Sequence, residues 1–209
     1  MVVPPLTLWF NWHMEGLDRV PDRGPMIVAA NHLSYLDPLV HGYFIDRAGR
    51  RPRFLAKQEL FENVFLRTLL LGAGQIPVRR GIGDQTALDE ATRSLERGEV
   101  VVVYPEGTSV TDRPDFSPAR GKTGVARLSL STGVPILPVA TWGGQYVWRK
   151  GERMRLQFGR PLWLKAGEQL TVDPADAGPD EARRLTDRTM DAVTVLVSDL
   201  RRRYPKRWS

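Results

Sequence analysis

The chain holds 209 residues, 42% hydrophobic and 9% aromatic, with a mean hydropathy of −0.31: apolar enough to bury a core, too polar for an integral membrane protein. It has no cysteine, which excludes a disulfide scaffold, a thiol nucleophile, a thiolate zinc site and an iron–sulfur cluster. Thirty Lys and Arg against 24 Asp and Glu leave a net charge of +6, which favours an anionic partner such as a phosphorylated substrate, an anionic bilayer or nucleic acid.

The expected architecture is a single α/β domain over 1–209, with a mostly parallel sheet flanked by helices on both faces. The first segment, Val2–Trp12, sets Leu6, Leu8, Trp9, Phe10 and Trp12 close together. Two readings stand: an interfacial anchor, with indole rings at the headgroups, or an element packed on its own domain. Short Val- and Ile-rich runs at Met26–Ala30, Phe54–Ala56, Ile76–Val78, Val100–Tyr104 and Ile136–Thr141 predict buried strands. Between them, Phe61, Val64, Phe65, Leu66, Leu69, Leu70 and Leu71 form an apolar patch for acyl chains or for the core.

A helix is predicted from Asp84 to about Arg97, stopped by Gly98, and another from Thr123 to Ser131, stopped by Gly133. Alternation of Met154, Leu156 and Phe158 with Arg153, Arg155 and Gln157 predicts a half-exposed strand. A polar loop over Gln169–Pro179 leads into a last helix, about Asp180 to Arg203. No apolar run approaches the roughly 20 residues of a membrane-spanning helix. The N-terminus lacks the basic start, apolar run and cleavage site of a signal peptide, so the expected compartment is the cytoplasm.

In such sheets, ligands bind beyond the carboxyl ends of the strands. The residues there are His32 and Asp37 after the first predicted strand and Lys57 after the second. Arg79 and Arg80 follow the third, Glu106, Gly107 and Thr108 the fourth. A His with a carboxylate partner makes a general base, the acid setting the ring tautomer. On one continuous helix, residues five apart point away from each other. The pair can meet only if His32 sits on a turn and Asp37 near a helix start. Ser34 suits a cap there and Pro38 a first turn.

Four ordered blocks then stand out. They are Asn31-His32-x-Ser34-x-x-Asp37, Gly74-Gln75-Ile76-Pro77-Val78-Arg79-Arg80, Tyr104-Pro105-Glu106-Gly107-Thr108 and Val134-Pro135-Ile136-Leu137-Pro138-Val139. Together they resemble the glycerolipid acyltransferases, above all the 1-acyl-glycerol-3-phosphate acyltransferase family, over about residues 20–165. The resemblance implies that His32, oriented by Asp37, deprotonates a glycerol hydroxyl that attacks an acyl thioester directly, giving phosphatidic acid for phospholipid biosynthesis. It implies that Arg80, with Arg79, binds the acceptor phosphate and that Lys57 adds a basic contact. Glu106, Gly107 and Thr108 would hold the acceptor.

No cofactor and no metal is implied; acyl-CoA or acyl-acyl carrier protein is the co-substrate. The block departs from its commonest form at Ser109, where many members carry Arg. A basic role there would pass to Arg113, Arg120 or Lys122, or the acceptor would be another lysophospholipid or a glycolipid.

Two decoys are set aside. Gly121-Lys122-Thr123 ends like a P-loop, but Phe116 stands where its first glycine belongs, and His32, Asp37 and His41 are weak as a metal set. Arg47, Arg50, Arg51 and Arg53, and the basic C-terminus from Arg201, suit an anionic membrane surface. The enzyme is thus expected at the inner face of the cell membrane, peripherally attached, with no nucleic-acid partner. A non-catalytic basic module binding membrane or nucleic acid would have no use for a base–acid pair.

Overall fold

The computed structural model describes residues 4–79, 85–107, 115–173 and 178–208. In chain order its elements are α1 (Pro4–Trp9), β1 (Asn11–Glu15), β2 (Met26–Ala30), α2 (Asp37–Arg47), β3 (Pro52–Lys57), α3 (Val64–Gly72) and β4 (Ile76–Val78). There follow α4 (Gln85–Glu96), β5 (Val100–Val103), α5 (Gly124–Thr132), β6 (Ile136–Trp142), β7 (Pro161–Ala166) and α6 (Pro179–Arg203). The described strands make one seven-stranded sheet in the order β1-β7-β6-β2-β5-β3-β4.

From β6 to β4 the strands run parallel; β7 pairs antiparallel with β6, and β1 runs parallel to β7. Residues of β2 are buried on both faces, so its side chains alternate between two cores rather than between core and water. Met26, Val28 and Ala30 pack with Phe44 and Ile45 of α2. Ile27 and Ala29 pack against Ala87, Ala91 and Leu95 of α4, Val125 and Leu128 of α5, and Leu185 of α6. Helices therefore cover both faces, as expected.

The predicted strand over 153–158 is a correction. Met154, Leu156 and Phe158 stay exposed on an irregular segment, and the strand is formed later, by Pro161–Ala166. Alternation alone does not make a strand: it needs a partner alongside, and beside β6 that place is taken by β7. The antiparallel turn of β7 also carries the start of β1 to the carboxyl edge of β6, because Trp142 pairs with Trp163 and Asn11 with Pro161.

Part of each basic cluster is committed to the protein itself. Arg50 donates to the carbonyls of Pro21, Gly24 and Gly98, and Arg53 pairs with Glu99 at 2.6 Å. Arg50 precedes β3 and Arg53 is its second residue, at the end of the parallel strands opposite His32, because α2 carries the chain back across the sheet. Near the C-terminus, Arg203 pairs with Glu15 and Asp199, and Lys165 bridges the same carboxylates at 3.2 and 2.7 Å.

Hydrogen bonding to Lys165, then to Arg203, holds the Asp199 pKa down at about 2, against an ordinary 3.8. A depressed carboxyl pKa stabilises the fold fully above the ordinary value, and that contribution is lost as pH falls towards the folded value. Asp199→Asn should therefore unfold more easily near neutral pH and lose less stability between about pH 4 and 2 than the wild type. Denaturant unfolding across that range measures it; parallel pH profiles in the two proteins would refute the assignment.

Candidate active site

Four loops at the carboxyl edge bring the site together. β2 ends at Ala30, and Asn31 continues its line with a side-chain rung. Asn31 Nδ2 donates to the Thr141 carbonyl (3.0 Å), and the Thr141 amide donates to Asn31 Oδ1 (2.8 Å). This ties the first block to β6 and directs the chain at His32 into a turn. The turn closes on Asp37, whose Oδ2 accepts from the amides of Leu33 (2.6 Å) and Ser34 (2.7 Å) and lies 3.0 Å from His32 Nδ1.

So the five-residue spacing is bridged as the sequence requires, with His32 on the turn and Asp37 as the first residue of α2. Ser34 is not the helix cap, a position taken by Leu36. Its Oγ instead accepts from the Leu36 amide (3.1 Å) and donates to the Trp148 carbonyl (2.6 Å).

Asp37 is fully buried, and a Cβ on Gly144 would come within 3.1 Å of the Ser34 Cβ and 3.3 Å of the Asp37 Oδ1, so Gly144 packs closely over the carboxylate. A carboxylate facing Nδ1 makes that nitrogen the N–H of the neutral ring and leaves the lone pair on Nε2. Nε2 has no hydrogen-bond partner among the described residues, and the His32 residue keeps 8% of its surface exposed. The arrangement is a base with its acceptor atom available and its other face held.

Glu106 occupies a different place from the one expected of an acceptor-binding group. Its Oε1 accepts from the His32 amide (3.0 Å) and its Oε2 from the Ala119 amide (2.9 Å), and only 4% of its surface is exposed. Burial raises its pKa, while the two amides pull the other way. The carboxylate therefore straps the 115–123 segment to the backbone of the base.

Gly107 has φ +73°, which favours glycine, and a Cβ there would meet Lys122 Nζ at 2.8 Å. Of the three stand-ins for the missing arginine, the fold thus lays Lys122 against the third block. Arg120 is exposed, and Arg113 lies outside the described residues, as do Arg80 and Thr108 of the predicted site.

Lys57 ends β3 and pairs with Glu59 at 3.0 Å; Arg79 follows β4 and is exposed. With strands about 4.8 Å apart, β4 lies about 14 Å from β2, since β5 and β3 stand between them. His32, Glu106, Lys57 and Arg79 are thus brought to one edge in that order, with the cations to one side of the base. Tyr104, whose ring stacks on His32, is the residue for which the sequence offered no role. Among the described residues, no group of three or more His, Cys, Asp and Glu is placed to hold a metal ion.

Against known proteins, a family model described as Acyltransferase matches residues 11–142. The 1-acyl-sn-glycerol-3-phosphate acyltransferase of Bacillus subtilis strain 168 is 26% identical over 69% of this chain and 70% of its own length. That of Borreliella burgdorferi is 30% identical over 62% of this chain and half of its own. The crystal structure of the 1-acyl-sn-glycerophosphate acyltransferase PlsC from Thermotoga maritima superposes with a TM-score of 0.71 and 28% identity, over 95% of this chain and 76% of that one. The matched region spans β1 to the end of β6 and so contains His32, Asp37 and Glu106 with the strands that carry them; the chain belongs to the Acyltransferase family.

Proposed function

We propose that the protein transfers a fatty acyl group from acyl-CoA or acyl-acyl carrier protein to the free hydroxyl of 1-acyl-sn-glycerol-3-phosphate, forming phosphatidic acid. The observation that carries the reading is the His32–Asp37 pair, with Nε2 unengaged at the carboxyl edge. His32 Nε2 takes the hydroxyl proton as the oxygen attacks the thioester carbonyl. The C–O bond forms, the tetrahedral intermediate collapses, and the C–S bond breaks. The thiolate leaves with the proton from the imidazolium, so no acyl-enzyme is needed. Asp37 stabilises the imidazolium through Nδ1–H. Lys57, Arg79 and Arg80 bind the acceptor phosphate, since guanidinium groups match phosphate oxygens, and Lys122 adds a cation against the third block.

The reading includes peripheral attachment at the inner face of the cell membrane, through this same edge. No helix among the described residues is long and apolar enough to cross a membrane. α3 buries none of its residues, and Val64 (78% exposed), Phe65 (77%) and Leu69 (60%) face out, whereas Phe61 joins the core. Beyond the opposite end of the sheet, Trp9 packs edge-on against Phe158, with Leu8 exposed beside it, while Phe10 and Trp12 are packed inward. The two readings of the N-terminal segment thus divide between its residues. Exposed apolar groups flanking the base on both sides suit a lipid acceptor that never fully leaves its bilayer.

The test is thiol release from a long-chain acyl-CoA with 1-acyl-glycerol-3-phosphate offered in anionic vesicles, alongside other lysophospholipids and a glycolipid. Release dependent on the phosphomonoester acceptor, and faster in vesicles than with a dispersed short-chain analogue, is expected. Release confined to an unphosphorylated acceptor would favour the second reading, to which Ser109 points.

A further inference from the structure

Tyr104 follows β5 as Asn31 and His32 follow β2, and these strands are parallel neighbours in register, Ala29 beside Val103. The Tyr104 ring lies nearly flat on the His32 imidazole, with centroids 4.4 Å apart and planes 19° apart. On β3, Phe54 lies nearly parallel to Tyr104 at 6.3 Å, so three rings stand in a row across β2, β5 and β3. The Tyr104 hydroxyl shares a 3.2 Å hydrogen bond with Nδ1 of His41. His41 stands one turn after Asp37 on α2. One helix therefore reaches the base twice, in the ring plane through Asp37 and across the ring face through His41 and Tyr104.

His41 has no evident purpose as packing. It is 1% exposed, and its Nε2 is buried with no partner among the described residues, an arrangement an aliphatic side chain would avoid at no polar cost. Burial lowers its pKa to about 4, so the ring is neutral near pH 7. Burial and the charge of Asp37 push the Tyr104 phenol above its ordinary range, so it keeps its proton. The His41–Tyr104 pair thus brings no net charge next to the base and leaves a neutral aromatic face against it.

We propose that Tyr104, oriented by His41, is a positioning residue for His32. Its face keeps the imidazole from turning out of the Asp37 hydrogen bond and presents π density to the imidazolium formed when Nε2 takes the acceptor's proton. An aromatic face attracts a cation more than a neutral ring, so the contact strengthens as the transition state is approached. The proposal rests on the acyl-transfer reading for its kinetic consequence, but not for its geometry.

Two measurements separate these. In wild-type protein, stacking should move the His32 ring-proton signals upfield of their position in the urea-unfolded chain, with His32→Gln supplying the assignment and His13, whose ring lies 5.0 Å from that of Trp163, left out as a reference; a His32 signal unshifted from the unfolded position overturns the stack whatever the enzyme does. In steady-state acyl transfer, Tyr104→Leu should lower kcat by about 5- to 30-fold with both KM values nearly unchanged. Tyr104→Phe, which keeps the face, should recover most of that loss. A Leu variant as fast as wild type, or one changed only in KM, overturns the proposal. If Tyr104→Leu proves unfolded by thermal melting, a Phe variant that folds yet shows the full loss would overturn it as well. Wild-type protein that turns over no acceptor would instead refute the functional reading, and leaves the NMR test standing.

Discussion

Replacing His32 by Ala should lower kcat for acyl transfer by about 10² to 10⁴, the range general-base catalysis supplies, with KM and thermal midpoint changed little. Much of the wall of the site survives the change, because Asp37 still accepts from the Leu33 and Ser34 amides and Glu106 still accepts from the backbone amide at position 32. Asp37→Asn should cost comparable activity by a different route. Because the Leu33 and Ser34 amides face the same oxygen as Nδ1, the asparagine turns its Oδ1 there and accepts all three bonds, but without the negative charge that stabilises the imidazolium. It also weakens the acceptor shared by two turn amides, so this variant should lose about 1–3 kcal/mol of stability that His32→Ala keeps. Acceptor-dependent thiol release together with denaturant unfolding distinguishes the two. Activity persisting in His32→Ala would remove the base from this mechanism.

Glu106→Gln should be the second most damaging change, and it separates two roles for the third block. With one oxygen instead of two, the glutamine side chain can satisfy either the His32 amide or the Ala119 amide, and turns an N–H toward the other. A misplacement of the base by about 1 Å can cost on the order of 10²-fold in rate, so kcat should fall by about 10- to 100-fold with little change in acceptor KM. The stability loss should fall below the full cost of an orphaned buried donor. The raised pKa of Glu106 means that its charged form is itself held at a cost above the ordinary carboxyl pKa, and the neutral amide relieves that cost. A carboxylate that bound the glycerol directly would show the opposite split, acceptor KM rising while kcat and stability held.

Much of this fold is legible because its inner strands are buried on both faces. Such strands read as unbroken Val and Ile runs, and Met26–Ala30 and Ile76–Val78 have the ends expected of them. Helices α4 and α6 follow their apolar periodicity to within a residue or so. β1 was missed although Trp12 and Met14 alternate with Asn11, His13 and Glu15, because five residues of alternation beside an apolar N-terminal segment are a weak signal until β7 is there to pair with them. The region 153–158 shows the converse, an alternating pattern that pairs with no described strand of the sheet. The apolar patch around α3 was visible, but periodicity could not tell a core helix from an exposed one.

The active site divides along the same line. Residue types offered the parts, an imidazole five residues before a carboxylate, cations after successive strands and no thiol to act as a nucleophile, and the four ordered blocks pointed to acyl transfer. Those are properties of local chain order, because His32 and Asp37 meet within a single turn. Only the tertiary structure decided which groups hold that pair in place. Glu106 reaches the His32 amide across 74 residues, Tyr104 reaches the imidazole from the neighbouring strand, and Lys122 arrives against Gly107 from another loop. Such contacts depend on strand order and register, which no spacing along the chain encodes.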